Sequence, residues 1–291
     1  MSANRLAVSV RNRLRSSAVR QMYWAIANRE ALVASRDEER FYKELLAGFS
    51  RNDLIFDIGA NGGAKTDIFL RLGGRVIAVE PDDTNLATLK ERFLQYRLKK
   101  CPVTLVGKAV SDQVAVEKMW IDGPGSAVNT LNRAWADHLT THSGDFKHQH
   151  YGLSFSTSKS VETTTVDDLM KMYGRPFFIK IDVEGYELKV LHGMSSPVPF
   201  LSYEVNLRVL RNEGISCVQQ LNNLVPHGEF NYTPDTCAGL SLNAWLGCDQ
   251  FCSVLETCKD ETVEVFWKSN CDRDMNTKRT REDMVSAKEG A

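Results

Sequence analysis

Two acidic residues in the first third of the chain end short apolar runs, at a spacing that suits a nucleoside ligand. Asp57 stands in the run LIFDIG and opens the glycine-rich turn DIGANGG, while Glu80 ends the run VIAVE. Their separation, roughly 20 residues, is where a carboxylate accepts hydrogen bonds from ribose hydroxyls in nucleotide-binding sheets. Glycines let the backbone approach such a ligand closely. The turn departs from the G-x-G-x-x-G pattern at Asn61, so a plain strand-to-helix turn is the alternative for this segment alone.

A second pair of acidic residues ends two later runs. In the segment KIDVEGYE, Lys180 and Asp182 lie on one side of an extended chain. A buried ion pair adds little to the stability of a fold, because the loss of hydration offsets the attraction between the charges. This favours a functional role for Asp182. Glu204 ends the next run, YEVN, so both carboxylates could face one pocket as bases or positioning groups. An exposed strand end is the alternative for Glu204. Oxygen ligands also suit Mg²⁺, so a divalent metal is a further alternative, with no metal ligand assigned.

Alternating strands and helices must position these side chains. Apolar runs predict strands at residues 54–59, 76–80, 103–110, 177–183 and 200–205, with two late β candidates at 251–255 and 263–267. Helices are predicted between them, at residues 66–72, 84–94, 166–172, 187–194 and 217–224. This alternation predicts an α/β fold with a doubly wound, mostly parallel sheet. Ligands bind such sheets beyond the carboxyl ends of the strands, where the four acidic residues stand.

Three segments are predicted along the chain. Residues 1–50 are predicted to form a basic helical extension, because six arginines precede the first acidic residue, Glu30. A second helix is predicted within this extension, at 37–49. Residues 51–271 form the main domain with a polar insertion at about 122–160, and residues 272–291 are a charged, disordered tail. Residues 1–29 are interpreted as a solvated leading helix that packs on the domain or a partner. A targeting presequence and contact with an anionic membrane surface are the alternatives.

The composition of the chain limits the partners and the cellular compartment that we expect for the protein. The 291 residues carry a net charge of −1, which gives no field that would favour nucleic acid. No run approaches the roughly 18 apolar residues of a membrane span, and no secretory signal is recognisable at the N-terminus. Seven cysteines without a regular framework predict free thiols in a reducing compartment, hence a cytoplasmic protein. The oligomeric state cannot be predicted from these features.

In order and spacing, several blocks resemble the FkbM-type methyltransferase family. They are DIGANGGAKT, VIAVEP, the Thr-rich strand with its Asp-Asp pair, KIDVEGYEL and Glu204, and they span residues 53–206. The resemblance implies S-adenosylmethionine as cofactor and a class I, Rossmann-like sheet of about seven strands, one of them antiparallel. It also implies O-methylation of a hydroxyl on a sugar, glycolipid or polyketide-like small molecule. The implied cofactor-binding residues are Asp57, Gly59, Asn61, Gly63, Thr66, Glu80, Ser111, Asp112 and Asp182.

Two other functions remain as alternatives. A nicotinamide-dependent oxidoreductase would need the tighter glycine fingerprint that Asn61 interrupts. A non-catalytic methyltransferase-like binding module would be expected to lack the cofactor-contacting residues, which are present here. For the reaction itself, Asp182 is the first candidate catalytic residue and Glu204 the second. A histidine of the insertion is a further candidate, from the set His138, His142, His148 and His150.

Overall fold

Strands and helices alternate through most of the computed structural model, which describes residues 29–98, 102–142 and 152–270. The strands are β1 Leu54–Ile58, β2 Arg75–Val79, β3 Val103–Val106, β4 Ala109–Val110, β5 Val116–Ile121, β6 Thr157–Thr164, β7 Phe178–Ile181, β8 Phe200–Asn206, β9 Glu229–Thr233 and β10 Thr262–Lys268. The helices are α1 Arg29–Leu45, α2 Ala64–Arg71, α3 Asp83–Arg92, α4 Leu94–Leu98, α5 Arg133–Thr141, α6 Val166–Tyr173, α7 Glu187–His192, α8 Arg211–Leu224 and α9 Cys248–Thr257, with a 3₁₀ turn at Thr236–Ala238.

Seven of the strands form one sheet in the order β3-β2-β1-β7-β8-β10-β9. All neighbours are parallel except at β10, which runs antiparallel to both β8 and β9. The predicted fold class is therefore confirmed, with seven strands, one of them antiparallel. The strand order reverses between β1 and β7, and this is the switch point at which such sheets bind ligands.

Helices cover both faces of the sheet, and each face has its own apolar core. One face packs against α1, α2 and α3 through aromatic side chains that include Tyr42, Phe69, Phe178 and Phe266. The other face packs against α5 to α9. Because both faces are buried, the inner strands read as continuous apolar runs in the sequence.

A smaller sheet, β4-β6-β5, lies beside the main one. β5 and β6 pair antiparallel, and their connection, residues 122–156, contains α5. The predicted insertion at about 122–160 thus overlaps the connection between β5 and β6. The predicted strand at 103–110 is two short strands, β3 and β4, in different sheets.

Three predictions of secondary structure were wrong. Residues 251–255 lie in α9 and not in a strand, because Phe251 and Leu255 are four apart and bury one helical face. Strand β9 was not predicted, and the second helix, predicted at 37–49, is α1, which spans Arg29–Leu45. The predicted basic leader up to residue 28, the tail at 272–291, His148 and His150 lie outside the described residues. In the part of the chain that is described, no helix is both long and apolar enough to cross a membrane.

Candidate active site

The turn after β1 is tightly joined to its neighbours. Gly59 has a φ of 81°, a left-handed conformation that strains other residues. A Cβ atom at this position would overlap the carbonyl oxygen of Asp182 and lie 2.8 Å from its carbonyl carbon. The N–H groups of Gly59 and Ala60 both donate to the carbonyl of Val79, at 3.0 Å. These contacts bring the ends of β1, β2 and β7 together at one edge of the sheet.

Glu80 is held rigidly at the end of β2. The residue is only 6% exposed, and its two carboxylate oxygens accept backbone hydrogen bonds from Asn61 at 2.7 Å and from Asp82 at 2.8 Å. Burial raises the pKa of Glu80 to about 7, although both backbone donors act in the opposite direction. Each carboxylate oxygen keeps a second lone pair. A ligand that donates two hydroxyl hydrogens could therefore bind a carboxylate that is already fixed in place.

A first cleft opens at this edge of the sheet. Gly59, Asn61, Glu80 and Asp182 all line it. Apolar side chains complete much of the wall, namely Ile58, Val79, Val110, Met119 and Leu131. The cleft thus combines a fixed carboxylate with an apolar surface, as the ribose and the flat base of a nucleoside require.

A second cleft, of about 310 Å³, adjoins the first. Apolar residues line part of it, including Val128, Trp135, Leu139 and Leu210. Asp182 and Glu204, the two predicted catalytic residues, both line this cleft. Asp182 and Glu184 line both clefts, so ligands bound in the two would meet at these carboxylates.

A family model described as a methyltransferase FkbM domain matches residues 57–210, which is more than half of the chain. The chain belongs to the FkbM methyltransferase family. The match runs from the end of β1 to the residue before α8, and it includes the carboxylates shared by the two clefts. The FkbM resemblance predicted from the sequence is therefore confirmed.

Solved structures with a similar fold share little sequence identity with this FkbM family member. Precorrin-6Y C5,15-methyltransferase from Geobacter metallireducens is 9% identical, with 78% of this chain and 84% of that chain covered and a TM-score of 0.39. A TehB-like SAM-dependent methyltransferase from Corynebacterium glutamicum is 10% identical, with 87% and 96% covered and a TM-score of 0.41. No curated protein matches the chain by sequence.

A buried polar strip lies beneath the FkbM site on the face covered by α1 and α2. Lys180, 3% exposed, donates to Asp182 at 2.8 Å. In the register of the sheet, Lys180 stands between Asp57 and Ser202. Burial alone would lower the pKa of Lys180, but the carboxylates around it outweigh this effect and raise it. The ammonium therefore stays charged and fixes the side chain of Asp182.

The strip continues across the sheet to α1. Glu264 accepts hydrogen bonds from Ser202 at 2.7 Å and from Tyr42, on α1, at 3.0 Å. Glu264 is also the register partner of Glu204 across β8 and β10. The far end of the strip is thus closed by a hydroxyl group that lies outside the residues matched by the FkbM model.

Asp57 and Thr66 lie beneath the glycine turn and line neither cleft. Asp57 is 1% exposed and accepts a short hydrogen bond from the hydroxyl of Thr66. Its other oxygen, Oδ1, has no hydrogen-bond partner among the described residues. Burial raises the pKa of Asp57. The pair supports the turn from below, and a direct contact between Asp57 and a cofactor stays a prediction.

Three further predicted residues also lie outside the lining of both clefts. A Cβ atom at Gly63 would lie 2.7 Å from side-chain atoms of Leu89 and Phe93, so this glycine allows α2 to pack closely. Ser111 donates to Glu117 at 2.7 Å, and Asp112 forms an ion pair with Lys189 at 2.7 Å. Their roles in cofactor binding stay predictions.

The structure adds site residues that sequence reasoning missed. Glu184, in a left-handed conformation with a φ of 56°, accepts a hydrogen bond from the indole of Trp135 at 3.3 Å. Glu187 accepts from the backbone of Val183 and Gly185, at 3.1 and 3.3 Å. Both glutamates belong to the KIDVEGYEL block, which was the available signal. Trp135, in contrast, comes from α5, and its only signal in the sequence is that of an aromatic residue in the predicted insertion, which could stack on a sugar ring or belong to a small satellite core.

Burial gives the glutamates of the second cleft unusual proton affinities. It raises the pKa of Glu187 to about 7 and that of Glu204 to about 8, and the neighbouring carboxylates add to the effect. The pKa of Glu184 is also raised, first by burial and then by Asp182 and Glu204. Within residues 29–98, 102–142 and 152–270, no group of three or more His, Cys, Asp or Glu side chains is placed to hold a metal ion. His138 and His142 stack on each other on α5, with ring centroids 4.2 Å apart, and line neither cleft.

Proposed function

We propose that this protein transfers a methyl group from S-adenosylmethionine to a hydroxyl oxygen of a small molecule or sugar. The cofactor would bind in the first cleft and the acceptor in the second. The observation that carries this proposal is the meeting of the two clefts at Asp182 and Glu184. A two-substrate transfer needs such a shared wall, because the reacting atoms must be held in contact and in line.

The residues of the first cleft fit the cofactor. Glu80 offers two fixed oxygens to a ribose diol, and the apolar residues Val110 and Met119 offer a surface for an adenine ring. The absence of a side chain at Gly59 leaves the turn close to the end of β7. When bound, S-adenosylmethionine supplies an electrophilic methyl group on a sulfonium. The protein then has to orient the acceptor and remove its proton.

Glu204 is suited to take the acceptor proton. A general base works best when its pKa lies near the operating pH, and burial raises the pKa of Glu204 to about 8. Asp182 is suited to orient the acceptor, because one of its oxygens is bonded to Lys180 while the residue still lines both clefts. We therefore assign proton removal to Glu204 and positioning to Asp182.

Isothermal titration with S-adenosylmethionine and S-adenosylhomocysteine tests the cofactor. We expect micromolar binding that Glu80→Gln weakens about tenfold, roughly the 1.4 kcal/mol of a charge-assisted hydrogen bond. Glu256→Gln on the exposed side of α9 is the matched control and should bind normally. Binding of a nicotinamide cofactor instead would favour the oxidoreductase. A folded protein that binds neither sulfur ligand would favour the non-catalytic module.

The cytoplasm is the compartment that the thiols support. In the described part of the chain, the free cysteines are Cys217, Cys237, Cys248, Cys252 and Cys258. Unpaired thiols are typical of a reducing compartment. Fractionation of cells that produce the full chain with a small tag tests this assignment, and recovery in an oxidising compartment would contradict it.

A further inference from the structure

The second cleft has a lining of one charge. Its ionisable residues are all acidic, and they are Asp182, Glu184, Glu187, Glu204 and Glu261. No lysine, arginine or histidine is among its lining residues in the described part of the chain. The whole chain, in contrast, carries 36 basic and 37 acidic residues. The excess of acid is therefore local to this cleft.

Among the described residues, two of these carboxylates form an ion pair. Asp182 is paired with Lys180 at 2.8 Å, and Glu261 with Arg208 at 3.2 Å. Glu184 and Glu187 accept hydrogen bonds from neutral N–H groups. Glu204 has neither a hydrogen bond nor an ion pair within the described residues. Three neighbouring glutamates thus share a partly buried cleft without an ion pair among the described residues. Lys180 acts to lower the pKa of Glu204, but burial outweighs it, so the charged glutamates are costly unless they are protonated or a further cation binds.

The remaining wall suits an organic cation. Trp135 lines the cleft, is only 5% exposed, donates its indole N–H to Glu184 and stacks on His138 with ring centroids 5.8 Å apart. Its exposed part gives apolar surface beside the carboxylates against which the ring of a ligand can pack. The apolar residues Val128, Leu139 and Leu210 give surface for the carbon skeleton of a ligand. With about 310 Å³ of space, the cleft lies at the lower end of the size range of sites for small organic molecules.

We propose that the acceptor carries a protonated amine beside the hydroxyl that is methylated, as an amino sugar or aminocyclitol does. Glu204 and Glu184 recognise the ammonium group, and Trp135 contacts the ring that bears it. This inference rests on the proposed function, because that function assigns the second cleft to the acceptor. A bound ammonium group would also favour the ionised form of Glu204, so that recognition of the acceptor would prepare the base.

Matched pairs of probes test the charge. The full chain, saturated with S-adenosylhomocysteine, is titrated at pH 7 with glucosamine and N-acetylglucosamine, and with neamine and fully N-acetylated neamine. Acetylation removes the positive charge and keeps the ring. We expect each amine to bind about tenfold or more tightly than its acetylated partner. Glu204→Gln, which keeps the shape of the side chain, should lose this preference, and Glu256→Gln should keep it.

Two results would overturn the inference. Equal binding within both pairs, or no binding by either amine, would show that charge does not select the acceptor. Heat from MgCl₂ alone that Glu204→Gln abolishes, and that NaCl of equal ionic strength does not reproduce, would show that the carboxylates hold a metal. Because S-adenosylhomocysteine binding is measured first, its failure would instead count against the proposed function itself.

Discussion

Gly59 and Asp182 touch through their backbones: the hydrogen atoms of the glycine face the carbonyl group of the aspartate so closely that no Cβ atom fits between them. Each residue ends a different strand, and Asp182 also donates its N–H to the carbonyl of Ile58 at 2.9 Å. The glycine turn of the first cleft and the wall that the two clefts share are thus joined by direct backbone contacts.

Gly59→Ala is expected to destabilise the protein by about 2–4 kcal/mol, because it adds both an overlap with Asp182 and strain at a positive φ. Gly62→Ala is the matched control, since nothing lies within 4 Å of a Cβ atom at that position. Urea unfolding of the two variants measures the difference. Equal loss of unfolding free energy in both would disprove the close approach.

Binding of S-adenosylhomocysteine is expected to strengthen as the pH rises from 6 to 8. The pKa of Glu80 is about 7, and ribose hydroxyls donate to the ionised carboxylate, so the dissociation constant should fall about tenfold over this range. Titration at several pH values measures the trend. Glu80→Gln should bind weakly with no such trend, and a trend that survives in this variant would assign it to another group.

Lys180→Met is expected to cost about 3–5 kcal/mol of unfolding free energy, because it leaves Asp57, Asp182 and Glu264 without the buried cation between them. Lys171→Met removes an exposed lysine whose partner, Asp168, lies three residues away on α6, and should leave stability unchanged. Denaturant unfolding compares the two. A stable Lys180→Met variant would mean that the carboxylates relax by taking up protons.

Glu204→Gln is expected to raise stability at pH 8 by roughly 1–3 kcal/mol and to leave it unchanged near pH 5. The folded pKa of Glu204 is about 8 against an ordinary 4.5, so between these values the folded state holds more protons than the unfolded state. Stability contributed by this proton is present at low pH and is lost as the pH rises through 8. Urea unfolding at both pH values measures the effect, and identical pH dependence in both proteins would contradict it.

The sheet was predictable from the sequence because its inner strands leave a local signature. β1, β2, β7 and β8 are buried on both faces, so each is a short apolar run, and the acidic residue near its carboxyl end marks the binding edge. That is why the sequence alone predicts Asp57, Glu80, Asp182 and Glu204 at one edge of the sheet. Strand β9 lies at the edge of the sheet and pairs only with β10, so its sequence, EFNYT, mixes polar and apolar residues.

The second cleft was less predictable because residues far apart in the sequence form it. Trp135 comes from α5 inside a hairpin connection, Leu210 precedes α8, and Glu261 precedes β10. No spacing rule relates them. The helix around Phe251 was mistaken for a strand for a similar reason, since a five-residue apolar run fits either structure until its packing partner is known.

The hydrogen bond from Tyr42 to Glu264 shows that the folded domain extends beyond the residues that match the family model. Similarity to the family begins at residue 57, yet Tyr42 fills the same core as Phe69 and Phe178 and closes the polar strip beneath the site. A chain trimmed to begin where the match begins, at residue 57, would uncover that aromatic core and leave the buried carboxylate of Glu264 with one hydroxyl partner instead of two. Helix α1 is therefore part of the folded domain of the enzyme. A chain shortened to omit this helix is expected to be insoluble when it is produced.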